Sequence, residues 1–230
     1  MLETHALEAY YGDFQALFGV DICVGSGEVV AIIGANGAGK TTTMRAITGL
    51  LDCDAQMVQW RGRAIGRLRA DQIAGLGIAM VPEGRQLFPS LNVEENLLIG
   101  GRSNRSGPWS LQRVYELFPV LGERRRQAST SLSGGQQQLA AIGRALMSNP
   151  ELVLFDEISL GLAPIIIQQL YEAMPDMIRD GVSAVVVEQD INKALSVADR
   201  VYCLAEGRVA LAGPTAEVTR DAIGRAYFGV

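Results

Sequence analysis

Residues 28–42 read "EVVAIIGANGAGKTT". The apolar run Val29–Ile33 is far too short to cross a bilayer and suits a strand buried on both faces. The turn after it satisfies G-x-x-x-x-G-K-[ST], and from Lys40 to about Leu50 the pattern is helical. Strand, glycine turn and helix in that order are the context the pattern needs. Gly34, Gly37 and Gly39 let backbone N–H groups wrap phosphates, Lys40 can reach the β and γ oxygens, and Thr41 can ligate Mg²⁺. The expected nucleotide-binding set is Gly34, Asn36, Gly37, Ala38, Gly39, Lys40, Thr41 and Thr42. The expected fold is α/β, a phosphate-loop NTPase core with a mainly parallel sheet.

The chain on either side fits that core. "LETHALEA" and "ALFGVDICV" near the N-terminus predict antiparallel strands, hence an antiparallel β subdomain there. A short strand pair, a helix near "DQIAGLG" and the buried strand "IAMV", closed by Pro82, fill 57–82. From about 90 to 150 the pattern turns helical, with "LNVEENLLIG" and "LQRVYELFPVL" at amphipathic spacing around the loop "RSNRSGPWS" at 102–110. Strands "LVLF", "SAVVV" and "RVYCLA" then alternate with helices over 164–180 and "INKALSVAD", as in a βαβ sheet. Residues 1–230 are expected to make one domain with a helical subdomain at about 90–150.

Composition narrows the function classes. A net charge of −5 argues against a dedicated nucleic-acid binder, and two basic clusters, Arg61/Arg63/Arg67/Arg69 and Arg124–Arg126, suit a solvated face. Cys23, Cys53 and Cys203, odd in number and set in apolar sequence, predict buried free thiols in a reducing compartment. One histidine, His5, argues against zinc. The N-terminus shows no basic-then-apolar export pattern.

"LVLFDE" (152–157) puts Asp156 and Glu157 at the end of a buried strand, where ligands bind in open parallel α/β sheets. Adjacent acids can be no more than a strand's polar end. Beside a phosphate loop they divide labour: Asp156 holds Mg²⁺ through water, and Glu157 orients or deprotonates the attacking water, which makes ATP hydrolysis the leading chemistry. "LSGGQ" (132–136) opens a further helix. Ser133 and Gln136 have capping-box spacing, while Gly134 and Gly135 cost helix entropy unless something must approach the backbone. Bare N–H groups at a helix start favour phosphate. With one phosphate loop already serving its own chain, this cradle would serve a second subunit's nucleotide across a twofold axis.

On "GANGAGKTT", "LSGGQ" and "LVLFDE" together, the whole chain resembles the ATPase subunit of ATP-binding cassette (ABC) transporters. "VPEGRQLFPSLNVEENLL", "IGRALMSNP", "SLGLAP" and "VVEQD" are similar to the subfamily that energises bacterial uptake of branched-chain and related hydrophobic amino acids. The resemblance implies ATP and Mg²⁺ as ligands and a homo- or heterodimer of such ATPases. It implies a peripheral place on the cytoplasmic face of the inner membrane, under two membrane-spanning permease subunits fed by an external solute-binding protein, with no nucleic-acid partner. It also implies that Tyr11 stacks on adenine, that Ser133, Gly134, Gly135 and Gln136 act in trans, and that "SLGLA" (159–163) touches the partner's site. Glu83 stands where most such ATPases carry a glutamine, and is expected to face Mg²⁺ or its water. Gln189 stands where they carry a switch histidine, and is expected to serve catalysis beside Glu157. Leu162 replaces an aspartate and Ile158 a proline. The competing reading is an ABC-type ATPase acting on DNA or chromosomes, but that class needs a long heptad insertion before the signature, and none is present.

Overall fold

The computed structural model describes residues 1–103 and 105–228, the Phe228 side chain excepted; Asn104 of the predicted loop and residues 229–230 lie outside the described residues. In chain order the strands are β1 (Leu2–Thr4), β2 (Leu7–Tyr11), β3 (Phe14–Val20), β4 (Cys23–Val24), β5 (Val29–Ile33), β6 (Val58–Trp60), β7 (Arg63–Ala64), β8 (Ile78–Val81), β9 (Leu152–Asp156), β10 (Ser183–Glu188), β11 (Arg200–Ala205) and β12 (Arg208–Pro214). The helices are α1 (Lys40–Ile47), α2 (Ala70–Gly75), α3 (Val93–Gly100), α4 (Leu111–Leu117), α5 (Pro119–Glu123), α6 (Gly134–Leu146), α7 (Pro164–Arg179), α8 (Ile191–Val197) and α9 (Arg220–Phe228). The chain divides into two compact units, Met1–Ile73 with Ser183–Val230, and Ala74–Val182.

In the first unit β5 lies between β11 and β10 and runs parallel to both, pairing Val30 with Val185 and with Arg200. All five residues of β5 are buried, as a strand covered on both faces demands. β12 closes that edge antiparallel to β11, with a register shift after Cys203. Ala194 of α8 and Ile223 of α9 bury against Ala31, Ile33, Val201 and Cys203. The predicted antiparallel subdomain is a four-stranded sheet, β4-β1-β6-β7, with the hairpin β2-β3 beside it in sequence.

The second unit carries the parallel pair β8 and β9, Ile78 opposite Leu152 and Val81 opposite Phe155, and α3 to α7. The segment 90–150 falls wholly inside it. α3 and α6 cross closely because of two glycines. A Cβ on Gly143 would meet Val114 Cγ1 at 2.8 Å and Leu97 Cδ2 at 2.9 Å, and one on Gly100 would strike the Arg144 carbonyl. Buried Asn96 pins the loop before α3, its amide bonding the Phe88 N–H and the carbonyls of Phe88, Leu91 and Asn92.

Several local expectations are corrected. "LQRVYELFPVL" is two helices, broken at Phe118 (φ −129°, ψ 78°), because Pro119 has no N–H to give and takes the first position of α5. "ALFGVDICV" is two strands, β3 and β4. The helix after the phosphate loop ends at Ile47, since Thr48 turns its hydroxyl onto the Met44 carbonyl and Gly49 follows in a left-handed conformation. Only Cys203 is buried; Cys53 is half-buried, and Cys23 is exposed on β4, the outer strand of its sheet.

Candidate nucleotide and hydrolysis site

In the first unit, β5 delivers the chain into the phosphate loop at its C-terminal end. Gly34 (φ 152°) could carry no side chain, because its Cβ would strike the Leu204 carbonyl. Gly37 (φ 81°) is different: its left-handed backbone favours glycine although no atom lies within 4 Å of where a Cβ would be. The loop therefore presents open space at its tip while its base is seated against the β11–β12 turn, where Gly207 N–H donates to the Ala38 carbonyl at 3.1 Å. Lys40 is buried, and its Nζ donates to the Gly34 and Ala35 carbonyls at 2.9 and 3.1 Å. A buried ammonium needs partners, and the loop carbonyls supply them.

Thr41 and Thr42 are half-buried on the first turn of α1. The Tyr11 hydroxyl lies 3.5 Å from Thr42 Oγ1 and accepts from Arg45 Nη1 at 3.4 Å. Tyr11 thus stands beside the phosphate loop, 42% exposed, across the hairpin from Phe14, which is 70% exposed. Two unburied rings at one hairpin tip suit stacking with a planar ligand. Gln189 follows β10 directly. Because Glu188 pairs with Ile33, Gln189 emerges exposed at the same C-terminal end of the parallel strands as Gly34. Asp190 caps α8, accepting from the N–H groups of Asn192 and Lys193.

In the second unit, Glu83 and Glu157 leave the C-terminal ends of the parallel neighbours β8 and β9. Asp156 is buried, Glu157 half-buried and Glu83 exposed. Glu157 sits at φ 47°, a left-handed conformation costing on the order of 1–2 kcal/mol for a residue with a Cβ. Ile158 after it is 2% exposed and anchors the turn in the core. Beyond Glu83 the backbone is more strained still, with Gly84, Arg85 and Gln86 at φ 78°, 66° and 46° in succession.

α6 begins with the predicted capping box: Gln136 N–H donates to Ser133 Oγ at 3.3 Å, and Ser133 N–H to Gln136 Oε1 at 3.0 Å. The two glycines also have a packing reason that sequence reasoning missed. A Cβ on Gly134 would come within 2.8 Å of Arg85 Nη2, and one on Gly135 within 2.5 Å of Ile166 Cγ1 on α7. Arg85 donates to Gln137 Oε1 at 3.0 Å, and Arg144 Nη1 and Nη2 donate to the Gln86 and Arg85 carbonyls at 2.7 and 3.2 Å. Burial depresses the Arg144 guanidinium from its usual value, and it lies 5.7 Å from the Phe88 ring centroid. Arg85 stood within the quoted "VPEGR", but no spacing rule joins it to residues 52 positions away.

Residues 17–159 match the family described as ABC transporter. The chain is 44% identical, over all of both chains, to the high-affinity branched-chain amino acid transport ATP-binding protein BraG of Pseudomonas aeruginosa. It is 30% identical to a probable branched-chain amino acid transport ATP-binding protein LivF of Archaeoglobus fulgidus, covering 95% of this chain and 94% of that one. Among solved structures it is similar to a nucleotide-free ATP-binding cassette from an ABC transporter, with TM-score 0.82, 28% identity and coverage of 100% and 95%. It is also similar to a dimeric post-hydrolysis cassette bound to ADP and Pi, with TM-score 0.82, 25% identity and coverage of 94% and 99%.

Proposed function

The chain belongs to the ABC transporter family, and on that premise we propose that it is the ATPase subunit of a branched-chain amino-acid importer. The observation that carries the solute class is the end-to-end 44% identity to a chain named for that transport. In this reading the protein works as a dimer of ATPases, homo- or heteromeric, on the cytoplasmic face of the membrane beneath two permease subunits that receive solute from an external binding protein. Among the described residues no helix is long and apolar enough to cross a membrane.

ATP binds with its phosphates in the 34–42 loop and adenine against Tyr11. Lys40 exchanges the Gly34 and Ala35 carbonyls for phosphate oxygens, so its charge is never left buried without partners. Thr41 in the first unit, and separately Asp156 and Glu83 in the second, are hard oxygen donors of the kind Mg²⁺ takes, and the ion when bound would neutralise charge on the β and γ phosphates. Glu157 takes the proton of the attacking water. Gln189 cannot ionise; its amide donates to a phosphate oxygen while its carbonyl accepts, so it senses the γ-phosphate by fixed hydrogen bonding. Ser133 to Gln136 serve the partner's nucleotide.

The test is uptake of labelled leucine, isoleucine and valine by cells lacking this chain. Uptake is expected to fall, to return with the wild-type chain, and to stay low with Lys40→Ala. Unchanged uptake in the deleted cells, together with a salt-sensitive complex of the purified chain with DNA, overturns the reading.

A further inference from the structure

The strained turn after Glu83 is held to α6 at two heights. Arg85 reaches Gln137 near the start of the helix, and Arg144, seven residues further on, reaches back to the carbonyls of Arg85 and Gln86. Seven residues are close to two helical turns, so Gln137 and Arg144 lie on one stripe of α6 about 10 Å apart. Gly134 continues that stripe one turn earlier, and its missing side chain leaves room for the Arg85 guanidinium. One local bond, Gln86 N–H to the Gly84 carbonyl at 2.6 Å, closes the turn, but two consecutive residues with Cβ atoms occupy the left-handed region, which persists only where surrounding contacts over-determine it. Arg85 and Arg144 tie the turn itself to α6, while Asn96 and Ser129 fix Phe88 just beyond it.

We infer that Arg85 and Arg144 are positioning residues that clamp the Glu83-bearing turn to the helix carrying "LSGGQ", so that Glu83 and the signature move as one piece. The inference rests on the roles proposed above for Glu83 and for Ser133–Gln136. Arg85 makes a guanidinium bond to a neutral amide, which can open and close. Arg144 bonds backbone carbonyls and keeps the turn docked whichever side chain stands at 85. Arg85 is therefore the adjustable half of the clamp and Arg144 the permanent half.

The test separates strain from coupling. Gln86→Gly relieves a left-handed residue and leaves both arginines in place; ATP turnover is expected to match wild type, with an unchanged or raised Tm. Arg85→Gly relieves strain equally but removes the Arg85–Gln137 half of the clamp, leaving Arg144 on the carbonyls. Its Tm is expected to hold while kcat falls about tenfold, as for a lost charged hydrogen bond, with little change in KM for ATP. Gln137→Ala is expected to give the same loss, and the double variant no further loss. Arg85→Lys combined with Gln137→Glu restores a bonded pair and is expected to recover most of kcat. Wild-type turnover in Arg85→Gly, or losses that simply add in the double variant, would overturn the clamp. Glu83→Gln and Ser133→Arg run alongside: unchanged turnover in those two places the failure with the site assignment, whereas impaired turnover in both with a normal Arg85→Gly places it with the clamp.

Discussion

Glu157 combines an acid at a strand end with a left-handed backbone, and its neighbour decides whether it keeps that posture. Ile158 buries its side chain in the core and so anchors the turn that carries Glu157. Ile158→Ala is expected to destabilise the fold by about 2–5 kcal/mol of lost packing, and to lower kcat as Glu157 loses its anchor; thermal melts and steady-state turnover check both. Glu157→Gln keeps shape and loses basicity. It should bind ATP normally, measured by equilibrium titration, and turn over at least 100-fold more slowly; a normal rate removes Glu157 as the base. The cysteines give a chemical reading of the fold. Burial raises the Cys203 thiol to about 11, and burial with Asp52 and Asp54 nearby does the same for Cys53. At pH 8 only about one in a thousand of either is thiolate, so brief maleimide treatment should label exposed Cys23 first, half-buried Cys53 more slowly, and buried Cys203 only once denaturant opens the core. Mass spectrometry of the labelled peptides reports the order.

At the scale of elements, α6 carries three demands on one helix. Its capping box satisfies two N-terminal N–H groups, its glycines admit Arg85 and Ile166, and Gly143 admits α3 and α4 side chains at the other end. Local sequence rules reached the first of these, because a cap is written in residues three apart. The second and third depend on chains that return from elsewhere, which is why Gly134 and Gly135 read as a pure phosphate cradle until Arg85 and Ile166 were placed. The two demands can be told apart. Gly135→Ala forces its Cβ against Ile166, so it should lower Tm, and Ile166→Ala in the same chain should restore much of it by opening the space. Recovery of Tm without recovery of turnover would show that the glycine serves the nucleotide as well as the packing; no loss of Tm in Gly135→Ala would contradict the contact.

For the whole molecule, the shared-site reading makes a numerical demand. Mixing a Lys40→Ala chain with a Ser133→Arg chain leaves, in each mixed dimer, one composite site with an intact loop and an intact signature. Random pairing makes half the dimers mixed, so about a quarter of wild-type turnover is expected from two chains that are each nearly inactive. Activity independent of protein concentration, or no recovery on mixing, contradicts a shared site. Ser133 is the better position for this than Gly135, because it is exposed, whereas a Cβ at Gly135 would strike Ile166. The fold class, the phosphate loop, the parallel β5 and β10, the cap of α6 and the antiparallel N-terminal strands were all legible along the chain, because each depends on residues within a few positions or on the two-sided burial of a short apolar run. The break at Phe118 was written locally in Pro119, whereas register, the exposure of Cys23 and the packing reason for the two signature glycines were decided only by tertiary structure. Each of those depends on a contact between segments far apart in sequence, such as Arg85 with Gln137 or Gly143 with Leu97, and no local propensity encodes which distant side chain arrives.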